Sequence, residues 1–427
     1  MTWASVPLKR LAVDMQPGFA CQPTTTDPGV PQLRTNNVSA EGRLDLSELK
    51  HVPASPAEIG RYSLMVGDIL FNNTNSPALV GKTAFFRESG QFLFSNHMTR
   101  IRIDLSLAEP RYVARFLHWR WSQGAFRHLV TQWVNQAAIN RAQLATVPVP
   151  LPALSEQRRI VEILDQADRL LRLRADADAK AERILPALFT KMFVDTASSW
   201  EMHPLGSLLR KKAGALQSGP FGTHLHNSDF VPEGTVLAVG IDNVVDGEFV
   251  PGRNRRITNE KYRELEKYTL DAGDVLITIM GTVGRSCVFP GVPSPAICTK
   301  HVYRIQVDDR VHPEYLSAAL RLAGTLRDRI AGSITGQIVA GITSADLRAL
   351  QVTVPPRRLQ DAFAKAKADL DANRERSRRA TNRLGALFTR LLQDAFSGDL
   401  TATWRKAHMT ELLEEMEQQT KTLAEIR

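Results

Sequence analysis

Few residues in this chain have types and spacing suited to chemistry. The nearest is Ser76-Pro-Ala-Leu-Val-Gly-Lys-Thr83, which differs from a phosphate-gripping G-x-x-x-x-G-K-[ST] loop only by Ser76 in place of the first glycine. Such a loop holds phosphate with successive backbone N–H groups and the start of a following helix. Pro77 removes one N–H, and FFRESGQFLF, which comes next, reads as strand. The segment is therefore expected to be a turn carrying the basic residue Lys82. No H-E-x-x-H, G-x-S-x-G or paired C-x-x-C occurs, so metal-assisted and acyl-transfer chemistry have no handle. His97 and His301 stand alone beside strand signals and read as hydrogen-bonded structural residues. Asp68 and Asp274 each follow a glycine before an apolar run, which suits turn capping. Cys21, Cys287 and Cys298 show neither metal-ligand spacing nor a disulfide framework, so a reducing cytoplasm is the expected setting. The expectation is a chain that is not an enzyme, with no metal or cofactor of its own.

Binding is left as the function to look for. Four polar, donor-rich loops span residues 72–82, 217–228, 280–285 and 333–341. They offer Asn73, Thr74, Asn75, Ser76, Lys82, Ser218, Thr223, His224, Thr282, Arg285 and Gln337 for base edges or phosphates. Lys211-Lys212 and the cluster of Arg253, Arg255 and Arg256 add candidate phosphate contacts. The net charge of +9 is unevenly spread. Residues 1–150 carry 15 basic against 10 acidic side chains, and residues 151–199 balance at 8 against 8. A polyanion would meet a folded surface, since no disordered basic tail is present. No apolar run approaches the ~18 residues of a membrane span.

The elements that must position these loops are duplicated. EIGRYSLMVGDIL (residues 58–70) aligns with ELEKYTLDAGDVL (264–276) at a spacing of 206 residues. Ile139, Leu144, Val149 and Pro152 match Ile342, Leu347, Val352 and Pro355 at a spacing of 203, and Trp3, Pro7 and Leu8 match Trp200, Pro204 and Leu205. Each block mixes short strand signals with a helical stretch, 110–127 in the first and 313–331 in the second. Each is followed by a long amphipathic segment. The expected domains are a recognition block at 1–150, a central long helix at 151–196, a second block at 197–354, a distal long helix at 355–400 and a tail at 401–427. Met409, Leu412, Leu413, Met416 and Leu423 suggest a short amphipathic helix in that tail.

Heptad spacing assigns the first seam to Ile160, Ile163, Ala167, Leu170 and Arg174, and the second to Phe363, Leu370, Asn373, Ser377 and Leu384, among others. Ala366, Ala380, Leu387 and Leu391 complete the second stripe. Ser155 reads as the N-cap of the first helix, and Pro186 should break its last turns. Each lone seam would be exposed, so the helices are expected to bury them on each other. The predicted fold class is α+β: two similar mixed α/β recognition domains separated by an antiparallel coiled coil of two long helices, with approximate twofold symmetry.

With these residues in view, the chain closely resembles the specificity subunit of type I restriction–modification enzymes. The resemblance rests on the two blocks, each ending in a long helix behind prolines, and on several motifs. These are QLRTNNV (32–38), GDILFNNTNSPALVGK (67–82), SEQRRIVEILDQAD (155–168), SGPFGTHLHNSDF (218–230), GDVLITIMGTVGR (273–285) and LLQDAFSGDLT (391–401). It implies a non-catalytic reader of double-stranded DNA, each block reading half of an asymmetric bipartite site. It further implies two methyltransferase subunits, which bring S-adenosylmethionine and methylate adenine N6. Two restriction subunits, which are ATP- and Mg-dependent motor–nucleases, complete the implied assembly. The second helix departs from the pattern at Arg357-Arg358-Leu359, which puts the equivalence of the two docking sites in question. A methylation-only system and a coiled-coil protein-binding adaptor are the alternatives. If the helix pair separates two readers, deleting four residues of the first helix, about one turn, should change the spacer length of the methylated motif or abolish methylation. An unchanged motif in sequenced, methylation-mapped DNA would count against that role.

Overall fold

A computed structural model of the chain describes residues 3–21, 29–132, 136–195, 200–221, 224–250, 252–253, 255–332 and 342–425. The chain divides into two compact units, residues 1–174 with 381–427, and residues 175–380. Each unit thus combines one recognition block with parts of both long helices.

Unit 1 is built on an antiparallel four-stranded sheet in the order Ala12–Pro17, Met98–Ile103, Ile69–Asn72, Thr83–Phe85. A three-stranded sheet, Lys50–Val52, Val30–Leu33, Leu93–Phe94, has one antiparallel and one parallel pairing. Unit 2 repeats both, as Leu216–Ser218, Val302–Ile305, Val275–Thr278, Ser286–Val288 and as Arg256–Ile257, Val236–Val239, Ala296–Cys298. The turn-capping reading of the two aspartates holds. Asp68 accepts the Met65 N–H at 2.8 Å, and Asp274 accepts the Asp271 N–H at 2.8 Å. The helical stretches appear as Pro110–Ser122 in unit 1 and as Pro313–Leu322 with Gly324–Gly332 in unit 2.

The first long helix runs Leu154–Glu182, breaks before Ile184–Phe189 and ends in a π-helical turn at Thr190–Val194. Pro186 explains the break, because it has no N–H to give to the preceding turn. The second long helix, Arg357–Ser397, is continuous. The first helix starts one residue before the expected N-cap, and the Ser155 N–H is instead taken by the Glu415 carboxylate at 2.9 Å.

Burial corrects the seam registers. In the first helix the covered stripe is Ile160, Leu164, Ala167, Leu171, Arg174, Asp178, Ala181 and Leu185. In the second it is Phe363, Lys367, Leu370, Arg374, Ser377, Thr381 and Leu384. Ile160, Ala167, Arg174, Phe363, Leu370, Ser377 and Leu384 sit as expected. The alternate positions lie one residue further on. Leu170, at 56% exposure, Asn373 and Leu387 therefore face outward, and Ile163 is only half-covered. Doublets such as Ile163-Leu164 and Leu170-Leu171 satisfy either register, so the period alone could not choose. In unit 2 the antiparallel sense is visible, since Phe189 and Phe193 pack on Phe363 while Asp178 accepts the Ser377 hydroxyl.

Both helices are seated by the same buried device. Gln157 accepts the Glu109 N–H at 2.8 Å and donates to the Leu107 and Pro152 carbonyls at 3.3 and 2.9 Å. Gln360, 203 residues on, accepts the His312 N–H at 2.7 Å and donates to Arg310 and Pro355 at 3.1 and 2.7 Å. Tyr112 and Tyr315 repeat a second bond, to the Pro150 and Thr353 carbonyls at 3.0 and 2.7 Å.

The tail forms helices Ala402–Ala407 and Met409–Glu425 and packs on unit 1. Leu412 is buried, and Gln419 donates to the same Leu107 and Pro152 carbonyls at 2.8 and 3.4 Å. Arg405 bonds the buried Glu156 at 2.7 Å and covers the Trp3 ring. No helix among the described residues is long and apolar enough to cross a membrane.

An unpaired buried polar group costs about 1–3 kcal/mol. Gln360→Leu should therefore destabilise unit 2 more than Gln157→Leu destabilises unit 1, because Gln419 still serves two of the three groups that Gln157 leaves. Urea unfolding of the two variants, followed by probes in each unit, checks the order.

Candidate nucleic-acid interface

The expected reading loops leave the same ends of the same strands in both units. In unit 1 the Asn73 and Thr74 N–H groups donate to the His97 carbonyl at 3.1 and 3.2 Å, and the Ile139 N–H closes on the Asn73 carbonyl at 2.9 Å. Unit 2 repeats this with Ile279 N–H on the His301 carbonyl at 3.0 Å and Ile342 N–H on the Ile279 carbonyl at 3.4 Å. His97 and His301 thus serve through their main chains. Gly18 and Gly219 let the neighbouring segment press against this end. A Cβ at either would lie 2.2 Å from the Phe94 carbonyl or 2.1 Å from that of Cys298, closer than any side chain permits.

In unit 1, Thr74–Asn75 forms a short strand on Ala137–Ala138, which pairs in turn with Thr131–Gln132. Thr131 and Gln132 are exposed on this flap. Sequence reasoning passed over them, because a two-residue strand leaves no periodic signal. Asn73 donates to the Asn96 carbonyl at 3.4 Å, while its Oδ1 has no partner among the described residues. Asn75 caps the Ser76 N–H at 2.8 Å, and the Ser76 carbonyl closes the turn on the Leu79 and Val80 N–H groups. Trp121 pins the turn by donating to the Ala78 carbonyl at 3.2 Å.

Lys82 is a correction. It is 7% exposed, its ammonium donates to the Val38 carbonyl, and burial pushes its pKa down. A side chain held inside in this way does not reach a phosphate. It fastens the 35–38 turn instead.

In unit 2 the structure brings several candidates together. Ser218 ends its strand beside the turn of Thr299, Lys300 and His301, and Gly281 lies against Ile241. Arg255 pairs with Asp242 at 2.8 Å, and the Arg253 N–H donates to the same carboxylate at 2.6 Å. Partial burial pushes Asp242 up, but these hydrogen bonds outweigh it and hold the carboxyl below its ordinary value. His301 is held below its ordinary pKa by burial first and then by Lys300 and Arg255. It presents a neutral imidazole among cations at neutral pH. Thr282 Oγ1 has no partner among the described residues, and the Arg285 N–H and carbonyl are both engaged by Thr278. Arg253 and His224 are exposed, whereas Arg256 lies on its strand with a long 3.5 Å bond to the Thr235 carbonyl. Thr223 and Gln337 lie outside the described residues. Lys211 and Lys212 do not join this group. They precede Leu216, which pairs with Ile305, so they sit at the opposite end of the strand from Ser218.

Two equivalent loop ends with different polar side chains are thus carried on one repeated scaffold. Residues 25–183 match the type I restriction modification DNA specificity domain. Over those residues the chain is similar to a type I specificity domain. The likeness runs well beyond it. The putative MjaX specificity subunit of Methanocaldococcus jannaschii is 25% identical over 86% of this chain and 87% of its own length. The StySPI specificity subunit of Salmonella potsdam is 24% identical over 89% and 84%. Two solved structures share the fold. One, from work on assembly and conformational transition of the type I R-M system, has a TM-score of 0.60 over 93% of this chain and 98% of that one, at 17% identity. The M. genitalium S subunit gives 0.55 over 92% and 96%, at 14% identity.

Within the matched residues, His118 holds two loops together. Its Nε2 meets the Ala40 carbonyl at 3.0 Å, and the Thr83 N–H donates to Nδ1 at 3.4 Å. The neutral Nε2–H tautomer satisfies both, and burial pushes the pKa down to about 4. The unfolded chain, with a histidine pKa near ~6.5, takes up the proton first, so the contribution is complete above about pH 6.5 and is lost as pH falls toward 4. The melting temperature of unit 1 should fall more steeply between pH 7 and pH 5 in the native chain than in His118→Gln. Identical slopes would remove His118 from that role.

Proposed function

We propose that this chain is the non-catalytic specificity subunit of a type I restriction–modification enzyme, each unit reading one half of an asymmetric, bipartite DNA site. The observation that carries this reading is the repeated loop end. In both units main-chain bonds fix the scaffold, so the side chains of the loops are free to differ. Unit 1 offers Asn73, Asn75, Thr131 and Gln132, a largely neutral hydrogen-bonding set. Unit 2 offers Ser218, Arg253, Arg255, Lys300 and His301, which suit guanine edges and phosphates. Two different sets on one chain would read two different half-sites. The partners would be two adenine-N6 methyltransferase subunits bringing S-adenosylmethionine and two ATP- and Mg-dependent restriction subunits. Their docking would use the two long helices.

Methylation mapping of genomes with and without the gene should show one split adenine motif that disappears on deletion. Gln132→Ala with Asn75→Ala should relax only one half of the motif, and Arg255→Ala only the other. Each good bidentate base contact is worth roughly 1–3 kcal/mol of discrimination. Every adenine motif surviving deletion, under conditions where the gene is expressed, would sink the proposal. Purified chain with its partners that shows no sequence-selective DNA binding would point to a protein-binding adaptor.

A further inference from the structure

The basic pair Lys211-Lys212, left out of the reading end, lines a cleft of about 430 Å³ with Arg210, Arg310 and Arg348. Three of these cations are engaged. Arg210 donates to the Val307 carbonyl at 3.1 Å, Arg310 grips Asp308, and Lys212 lies 3.9 Å from Asp271. Lys211 and Arg348 are exposed.

The repeat shows what this face is. Asp104 in unit 1 and Asp308 in unit 2 make the same turn, each accepting the N–H two residues on, and each donating its own N–H to Leu11 or Leu208. Arg310 offers the carbonyl that Leu107 offers in unit 1, so a cation stands where unit 1 has an apolar side chain, and Arg348 stands where it has Ala145. Lys211 and Lys212 lie in a turn between Leu209 and Leu216 that is longer than its unit 1 counterpart, where Met15 pairs with Ile101 as Leu216 pairs with Ile305. The cluster belongs to unit 2 alone.

On unit 1 the corresponding face is occupied. The tail helix Met409–Glu425 lies there, with five acidic side chains against one lysine. Its Gln419 meets the Leu107 and Pro152 carbonyls, its Glu415 the Ser155 N–H, and its Leu423 carbonyl the Arg10 guanidinium. The matching groups in unit 2 are the Arg310 and Pro355 carbonyls, the Arg358 N–H and Ser207. Ser207, Arg310 and Arg358 are exposed, and no helix among the described residues covers them. Ser207 and Arg310 themselves line the basic cleft.

We propose that this face of unit 2, at the start of the second long helix, docks an acidic amphipathic helix of a partner protein. Unit 1 shows the form of ligand the face accepts: an apolar stripe, a glutamine for the paired carbonyls and a carboxylate for the helix start. Unit 2 keeps the acceptor carbonyls and adds cations that match an acidic helix. The position at the end of the strand away from Ser218 and Arg255 separates the cleft from the reading loops, so the inference does not rest on which bases are read.

The test uses the full chain and a fluorescent peptide of residues 401–425 as the acidic helix. Because the native tail fills unit 1, anisotropy should report saturable one-to-one binding that weakens with salt. Lys211→Glu with Arg348→Glu, both exposed positions, should weaken it at least tenfold. Absence of binding, or binding unaltered by the double variant, which would mean exchange with the tail on unit 1, overturns the proposal. So does equal binding of a scrambled peptide of the same charge, which would mark a general anion site. A DNA duplex that crosslinks to Lys211 and excludes the peptide would assign the cleft to nucleic acid and also overturn it.

Discussion

A buried carboxamide at the start of each long helix is the constraint on which the rest of the chain depends. A helix start leaves backbone groups without intrahelical partners, and the proline-rich lead-in to each helix leaves carbonyls equally exposed. Gln157 and Gln360 solve both problems at once, since one carboxamide accepts from the recognition block and donates back to it and to the lead-in. Neither hydrophobic packing nor an ion pair supplies that combination of donor and acceptor in one plane. Because Gln157 and Gln360 are fully buried, their bonds are directional contacts in a low-dielectric setting, and each helix leaves its block at a fixed angle. The tyrosine bonds to Pro150 and Thr353 repeat the same logic one layer out.

The ionic contacts around those starts do the opposite job and keep the two halves distinct. In unit 1 the block supplies the cations, Arg43, Arg111 and Arg115, and the helix supplies Asp165 and Asp168. In unit 2 the block supplies Glu314 and Glu248, and the helix supplies Lys367 and Arg374. Arg111 and Glu314 hold the same repeat position, as do Leu164 and Lys367. Seating the first block on the second helix would therefore bring Arg111 toward Lys367, two cations in a half-buried site. Lys367 and Asp168 are 8% and 7% exposed at their side chains, so the mismatch would be little screened by solvent. The glutamine device makes the halves alike, and the charges make them non-interchangeable.

Much of this was legible in the sequence because the repeat preserves backbone requirements. The Gly-Asp pairs at 67–68 and 273–274 announce two equivalent turns, and the prolines before each helix announce two equivalent starts. The helix seams were legible only to within one residue. Where two apolar residues are adjacent, as at Leu170-Leu171, either can point inward, and the choice belongs to the partner surface. The reversed polarity was visible as charged residues but not as pairs, because its partners lie tens of residues apart or more. Lys82 misled for a related reason: a lysine in a polar loop reads as surface, and only the fold shows that its ammonium reaches the Val38 carbonyl. The tail helix was readable as amphipathic, yet Gln419 gave no sign that it would join Gln157 on the same two carbonyls.

Diversification of the loops follows from how their ends are held. At both loop ends the fixing bonds run between main-chain groups, from Asn73 and Ile139 in unit 1 and from Ile279 and Ile342 in unit 2. A main-chain bond is indifferent to the side chain that carries it, so Asn73 can be replaced by Ile279 at the same point without loss of the scaffold. The one side chain forbidden at each end is any at all on Gly18 or Gly219, where a carbonyl occupies the space. A surface built this way tolerates almost any set of donors and acceptors. That freedom is what a protein needs if its two halves are to recognise different sequences on the same frame.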